Sequence, residues 1–201
     1  DLAQVARAVV AYPQILQWSS TMEKPFRNGQ FILHSTNHLL GKFEGLDGLK
    51  TGYTSRAGFC LVATAQRDSL RLIAVVLGTS SVRERQQAIS RLLTWGFENY
   101  ARVPLAQPDQ PLGVVAVNWG RATEVAAVVR DPLFAVLASG QEKRLGRSLS
   151  LAEEISAPVK AGQPLGRLEV SLGDSLIASA DVVAARTVER MSLWQFLKSW
   201  F

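Results

Sequence analysis

The chain has 201 residues, 47% of them hydrophobic and 19% charged, an ordinary globular composition that can bury a core as one large domain or two small ones. Twenty-two Lys and Arg against 17 Asp and Glu leave a formal charge of +5, but the basic residues are scattered singly, as at Arg67, Arg71, Arg83, Arg85 and Arg91, and no run of them marks a nucleic-acid patch, so no nucleic-acid partner is expected. The single cysteine, Cys60, excludes a disulfide or a thiolate metal cluster within this chain, and no run of 18 apolar residues is present to span a membrane as a helix.

Asp1 opens directly onto Leu2, Val5, Ala6, Val9 and Val10, the spacing of an amphipathic helix cut close to its N-cap. With no leader ahead of it, the chain reads as a piece of a longer one. The helix is expected to end near Tyr12-Pro13, because proline disfavours helical geometry in the residue before it. A segment rich in turn formers follows, through Asn28-Gly29 and Asn37 to Gly41 and Gly45. Around Asn28-Gly29, the flanks Lys24-Pro25-Phe26-Arg27 and Gln30-Phe31-Ile32-Leu33 predict a short hairpin. His34 and His38 have the i, i+4 spacing of a helical metal pair, yet Asn37 and the turn-like surroundings argue against a helix there. No metal and no cofactor are expected.

Three strands are predicted next, over 46–54, 58–66 and 70–77. The last two are joined by the polar turn Arg67-Asp68-Ser69, which makes an antiparallel meander. Cys60 lies in the apolar run Phe59-Cys60-Leu61-Val62-Ala63, the setting of a buried, inert thiol. From Ser81 to Tyr100, Ala88, Ile89, Leu92, Leu93, Trp95, Gly96 and Phe97 recur at helical spacing. Arg83, Glu84, Arg85, Gln86 and Gln87 form a polar first half. Such a helix can cover one face of the sheet.

Pro104, Pro108 and Pro111 then cluster, and a domain boundary is placed near residue 103. Beyond it, short β-rich runs at 114–117, 125–129, 134–137, 158–162, 165–170 and 175–184 alternate with Gly and Pro turns over 112–187, the pattern of a small β-sandwich or barrel. In the tail, Leu193, Phe196, Leu197 and Trp200 fall on one helical face, with Trp194 beside them and Gln195, Lys198 and Ser199 turned away. Trp at the border of an apolar face, with Lys nearby, suits a bilayer headgroup region. The alternative is a helix docked on the β domain. The expected fold is therefore α+β: an antiparallel sheet plus helix over 1–103, an all-β sandwich-like domain over 104–188, and an amphipathic helix over 189–201.

The chemistry concentrates at Lys50-Thr51-Gly52. As a bare tripeptide it is weak evidence, because a surface lysine in a strand beside a turn produces it equally well. Its context is Gly45-Leu46-Asp47-Gly48-Leu49-Lys50-Thr51-Gly52-Tyr53-Thr54, followed by Ala57-Gly58 and an apolar strand. In an extended segment Lys50 and Gly52 share a face, and Gly52 has no side chain to block a peptide lying alongside. The Lys50 ammonium and the Thr51 hydroxyl suit a carboxylate, or proton transfer at a nearby serine.

Taken with the Asp-Leu-Ala helix, Thr36-Asn37-His38-Leu39-Leu40 and the closing Val75-Val76-Leu77-Gly78, these residues resemble the serine D-alanyl-D-alanine carboxypeptidases, the low-molecular-weight penicillin-binding proteins of the peptidase S11 family. The region after 103 and the aromatic tail resemble that family's β-rich C-terminal domain and membrane anchor. The family pattern has a Ser-x-x-Lys nucleophile motif, a second Ser-containing motif and Lys-Thr-Gly. Thr21-Met22-Glu23-Lys24 and Ser35-Thr36-Asn37 do not stand in for the first two, so the nucleophile is absent from this chain.

The resemblance implies a penicillin-binding or β-lactamase-like domain in which a motif serine attacks the D-Ala-D-Ala bond of a peptidoglycan stem peptide. β-Lactams acylate the same serine. Lys50 and Thr51 carry over as carboxylate-binding residues, Gly52 as part of the same strand, and the Tyr53 N–H as a member of the oxyanion hole. Some relatives place a basic residue where this chain has Thr36. The expected partners are the stem peptide, the N-terminal part of the same protein, and a membrane surface on the outer side of the cytoplasmic membrane or in the periplasm. Alone, the chain is expected to expose an unpaired strand edge. A second reading keeps it as a non-catalytic cell-envelope module, its Lys-Thr-Gly strand an inherited scaffold.

Overall fold

The structure, a computed structural model, describes residues 1–192. They divide between Ala101 and Arg102 into two compact units. The tail residues Leu193, Trp194, Phe196, Leu197 and Trp200 lie outside the described residues.

The first unit opens with α1 (Leu2–Val9). Asp1 caps it by accepting from the N–H groups of Ala3 and Gln4, and the Gln4 side chain bonds back to the Asp1 backbone nitrogen. That exchange satisfies donors that a helix start otherwise leaves orphaned. The chain does not then pass into loop, as the turn formers suggested. Pro13 begins a second helix, α2 (Pro13–Ser19). Proline lacks only a donor that the first helical turn does not use, so the residue expected to stop one helix starts another. The hairpin is present as β1 (Glu23–Phe26) and β2 (Phe31–His34), with Arg27 and Asn28 in left-handed turn geometry.

The meander is a three-stranded antiparallel sheet of β3 (Leu46–Thr54), β4 (Gly58–Arg67) and β5 (Leu70–Thr79), in the order β3-β4-β5. One face is covered by α3 (Val82–Asn99), where Leu61, Ala63, Ala65 and Ala74 of the sheet pack with Ile89 and Leu93. Ser81 caps α3 by accepting from the Glu84 N–H, and hydrogen bonds from the Ser80 hydroxyl and N–H hold the Glu84 carboxylate below its ordinary pKa. The buried stripe of α3 runs Arg85, Ile89, Leu93, Gly96, whereas Leu92 and Trp95 are exposed. Arg85 therefore does not belong to a solvated polar half.

Across the other face, Asp47 of β3 forms a bidentate pair with Arg71 of β5, its Oδ1 and Oδ2 lying 2.9 and 2.8 Å from Nη1 and Nη2. Arg71 also donates to the fully buried Thr64 hydroxyl of β4, at 2.8 Å. The pair thus spans all three strands. Asp47→Ala strands the Arg71 guanidinium and should cost about 1–3 kcal/mol of stability, the range for a lost hydrogen bond to a charged partner. Urea unfolding measures this, and a midpoint unchanged from wild type would show the pair to be dispensable.

Among the described residues the second unit is built of strands with one short 3-10 turn, Gln141–Arg144, and its strand pattern extends beyond the runs visible in sequence. β6 (Tyr100–Ala106) pairs with β9 (Leu133–Ala138). A six-stranded sheet has the order β10-β12-β13-β8-β7-β11, built from β7 (Gly113–Asn118), β8 (Glu124–Val129), β10 (Leu145–Leu151), β11 (Glu154–Ser156), β12 (Pro164–Leu172) and β13 (Ser175–Ala184). The β11–β7 pair is parallel and the others are antiparallel. Residues of both sheets share one core around Val115, Val125, Val129, Val170 and Val182, an alternating inward pattern of β-branched side chains. The sheet is open, with β10 and β11 at its edges, so the unit is sandwich-like and not a closed barrel. β6, β10 and β11 are additions to the expected strands. Pro104 sits within β6, tolerated in a two-stranded sheet that consists of edges, and all five inner residues of β10 are exposed, which leaves no alternation to detect.

Candidate functional site

All four residues singled out in sequence, Lys50, Thr51, Gly52 and Tyr53, lie on β3, an edge strand. The β3–β4 register pairs Lys50 with Val62, Thr51 with Leu61, Gly52 with Cys60 and Tyr53 with Phe59. Two-residue periodicity therefore sends Lys50 and Gly52 to one face and Thr51 and Tyr53 to the face that α3 covers.

On the α3 side a cleft of about 620 Å³ is bounded by Lys50, Thr51, Gly52, Tyr53 and Phe59, with Thr36, His38, Val82 and Arg85 from other elements. The Tyr53 and Phe59 rings, 4.3 Å apart between centroids and tilted by 32°, form an aromatic wall. The Thr51 hydroxyl lies 2.6 Å from that of Thr36, fifteen residues earlier. The Lys50 ammonium donates to the carbonyl of Thr51. It therefore sits at the strand edge.

Arg85 is the site residue that sequence reasoning missed. Only 4% exposed, it comes off the first turn of α3. Its Nη2 donates to the Thr36 carbonyl at 3.3 Å and its Nη1 to the Cys60 carbonyl at 3.4 Å, while Nε is buried with no partner. Burial lowers its pKa from the ordinary arginine value, but a guanidinium keeps its charge at neutral pH. A signal was available: Arg85, Ile89 and Leu93 recur every four residues, in phase with the buried stripe. The other face of β3 borders an apolar trough of about 290 Å³, where Leu2, Val5 and Val9 of α1 face Gly52, Cys60 and Val62.

Gly52 needs no special backbone or close packing. A Cβ there would meet only the Cys60 Cβ, at 3.8 Å, an ordinary contact. What its lack of a side chain preserves is open space over the strand. Cys60 is half-buried and not fully buried as expected, because it sits beside Gly52, which has no side chain to cover it, and its thiol turns toward the Ala57 carbonyl. His34 pairs with Glu23 across the hairpin at 3.1 Å, and His38 lies in the cleft, so the two histidines do not converge. Among the described residues no group of three or more His, Cys, Asp or Glu side chains is placed to hold a metal, and no helix is long and apolar enough to cross a membrane.

The cleft thus combines two cations, hydroxyl donors, an aromatic wall and an unpaired strand edge, the requirements for gripping an extended peptide with a terminal carboxylate. Residues 1–81 match the family model described as D-alanyl-D-alanine carboxypeptidase, and residues 100–190 match that of the penicillin-binding protein 5 C-terminal domain. The chain is 30% identical to D-alanyl-D-alanine carboxypeptidase DacF of Bacillus subtilis, covering 98% of this chain and 52% of that protein. It is 31% identical to DacC of Escherichia coli, over 100% of this chain and 54% of that one. Among solved structures, penicillin-binding protein 5 of Haemophilus influenzae superposes with a TM-score of 0.69 at 27% identity, covering 92% of this chain and 54% of that one. Penicillin-binding protein 3 of Streptococcus pneumoniae does so with a TM-score of 0.69 at 26% identity, over 92% and 55%. The β sheets of the second unit are thus similar to those of the penicillin-binding protein 5 C-terminal domain, and the chain spans about half the length of the curated relatives it matches.

Proposed function

The chain belongs to the D-alanyl-D-alanine carboxypeptidase family, and from that premise we propose that it forms one wall of a carboxypeptidase site acting on peptidoglycan stem peptides. The observation that supports this reading best is the cleft along β3, in which Lys50, Thr51 and Arg85 meet at an unpaired strand edge. The stem peptide pairs with β3 in extended form, passing over Gly52. Its terminal carboxylate is gripped by the Thr51 hydroxyl with the positive charge of Arg85 and Lys50 nearby, and the Tyr53 N–H helps stabilise the oxyanion.

The nucleophile is a serine supplied by a Ser-x-x-Lys motif that the 201 residues do not contain. The serine oxygen attacks the carbonyl carbon of the D-Ala-D-Ala bond. Collapse of the tetrahedral intermediate expels D-alanine, whose nitrogen takes up a proton, and water then hydrolyses the ester. β-Lactams acylate the same serine. The region that carries the motif also covers the trough beside α1 and leaves the edge of β3 beside Gly52 to the peptide. The site works outside the cytoplasmic membrane, with the aromatic tail at the membrane surface.

Fluorescent penicillin tests this reading. Residues 1–201 alone should take no covalent label, and the protein that includes the Ser-x-x-Lys region should be labelled on that serine. There, Lys50→Ala should slow labelling by about 100-fold or more, at about 1.4 kcal/mol per tenfold, with the thermal transition nearly unchanged. A longer protein that stays unlabelled would end the reading, and equal loss of labelling and stability would make Lys50 structural.

A further inference from the structure

The contact between the hydroxyls of Thr36 and Thr51 joins residues from different elements, and its geometry is held from outside. The Thr36 carbonyl accepts from Arg85 Nη2 at 3.3 Å. The next residue, Asn37, is buried, and its side-chain amide donates to the Gly48 carbonyl of β3 at 3.3 Å while its Oδ1 accepts from the Leu39 N–H at 3.4 Å. Thr36 is thereby tied to α3 on one side and to β3 on the other. Its hydroxyl is presented to Thr51 at 2.6 Å, although Thr36 itself is exposed. An exposed threonine would ordinarily leave its hydroxyl to water.

Two hydroxyls in contact share one proton between them and leave the other proton free. If Thr51 donates to Thr36, its only proton is spent and it can offer a ligand nothing but lone pairs. If Thr36 donates, the Thr51 proton is free to point into the cleft, and the chain Thr36–OH to Thr51–OH to anion is polarised in one direction, each bond strengthening the next. Beside Arg85 the cleft favours negative charge, so an incoming carboxylate selects the second arrangement.

We infer that Thr36 is a positioning residue that sets the Thr51 hydroxyl as a hydrogen-bond donor toward the ligand's carboxylate, and so helps the site discriminate carboxylate-bearing ligands from neutral ones. This rests on the proposed carboxypeptidase reading. It adds a residue that acts through Thr51 and does not itself touch the ligand.

The test uses the protein that includes the Ser-x-x-Lys region and two probes, benzylpenicillin and its methyl ester, which differ in the carboxylate alone. Thr36→Val removes the hydroxyl at nearly constant shape. It should slow acylation by benzylpenicillin about 3- to 10-fold, the worth of one hydrogen bond, and leave acylation by the ester within about twofold. Thr36→Ser should restore the wild-type ratio, and Thr36→Val should have no further effect once Thr51→Val is present. Equal slowing of both probes, or a Thr36→Ser variant as impaired as Thr36→Val, would assign Thr36 to packing and overturn the inference, as would wild-type rates in Thr36→Val. A wild-type protein that neither probe acylates would instead remove the carboxypeptidase reading beneath it.

Discussion

Gly52→Ala, in the protein that includes the Ser-x-x-Lys region, is expected to abolish most acylation while leaving the fold as stable as before. Within this chain the added methyl meets nothing closer than Cys60 Cβ at 3.8 Å, and Gly52 is exposed with no left-handed φ to lose. Replacing a strand glycine by alanine removes backbone freedom from the unfolded chain and is worth about 0.5–1 kcal/mol of stabilisation where nothing clashes. A peptide laid along β3, however, must approach this backbone to hydrogen-bond distance, and a methyl group there displaces it. Displacement by about 1 Å of a reacting group costs about 100-fold in rate.

Gly48 provides the control, because it lies on the same strand and the same face. A Cβ there would sit 2.4 Å from the Ser19 hydroxyl oxygen of α2, which itself donates to the Asp47 carbonyl at 2.8 Å. Gly48→Ala should therefore lose stability, where Gly52→Ala loses activity. Acylation rates and thermal midpoints measured on both variants separate the two roles. A Gly52→Ala protein with a wild-type acylation rate would show that no peptide lies against the β3 backbone at Gly52.

Arg85→Ala should damage the fold and the site together. The guanidinium joins the Thr36 and Cys60 carbonyls from a position 4% exposed, so its removal strands two acceptors and leaves a hole beneath the cleft. About 2 kcal/mol or more is expected from the unpaired carbonyls, which lowers the midpoint by roughly 8–16 °C in a unit of this size. Acylation should fall about 100-fold or more, since one buried cation and the anchor of Thr36 are lost at once. Arg85→Lys keeps the charge, but a single ammonium cannot reproduce a planar fork that reaches two carbonyls. It should retain much of the stability and little of the acylation rate. A fully active Arg85→Lys would show that charge alone suffices, and a fully active Arg85→Ala would exclude Arg85 from the site.

Much of the first unit was legible because its signals are local. Strands β3, β4 and β5 announce themselves through apolar runs and polar turns, and Asp1 ahead of Leu2, Val5, Ala6 and Val9 marks a helix start. Lys50-Thr51-Gly52 was readable in the same way, since spacing of two along a strand already decides which side chains share a face. Where the local signal was ambiguous, reading failed. Pro13 can end one helix or begin the next, and only the packing of α2 against β3 chooses between them. Pro104 resembles a linker residue until β9 is found beside it.

The roles of charged and hydroxyl side chains were decided by tertiary structure alone. Asp47 and Arg71 are 24 residues apart, Thr36 and Thr51 fifteen, and Arg85 reaches a carbonyl 49 residues away. In sequence nothing pairs these residues, and Arg85 stands in a polar run although its spacing to Ile89 and Leu93 is that of the buried stripe. A strand's period is set by bond geometry between neighbours, whereas the partner of a buried guanidinium is set by which carbonyls the folded chain leaves unpaired, so the Lys50-Thr51-Gly52 strand was determined by the sequence and the Arg85 guanidinium and Thr36 hydroxyl beside it only by the fold.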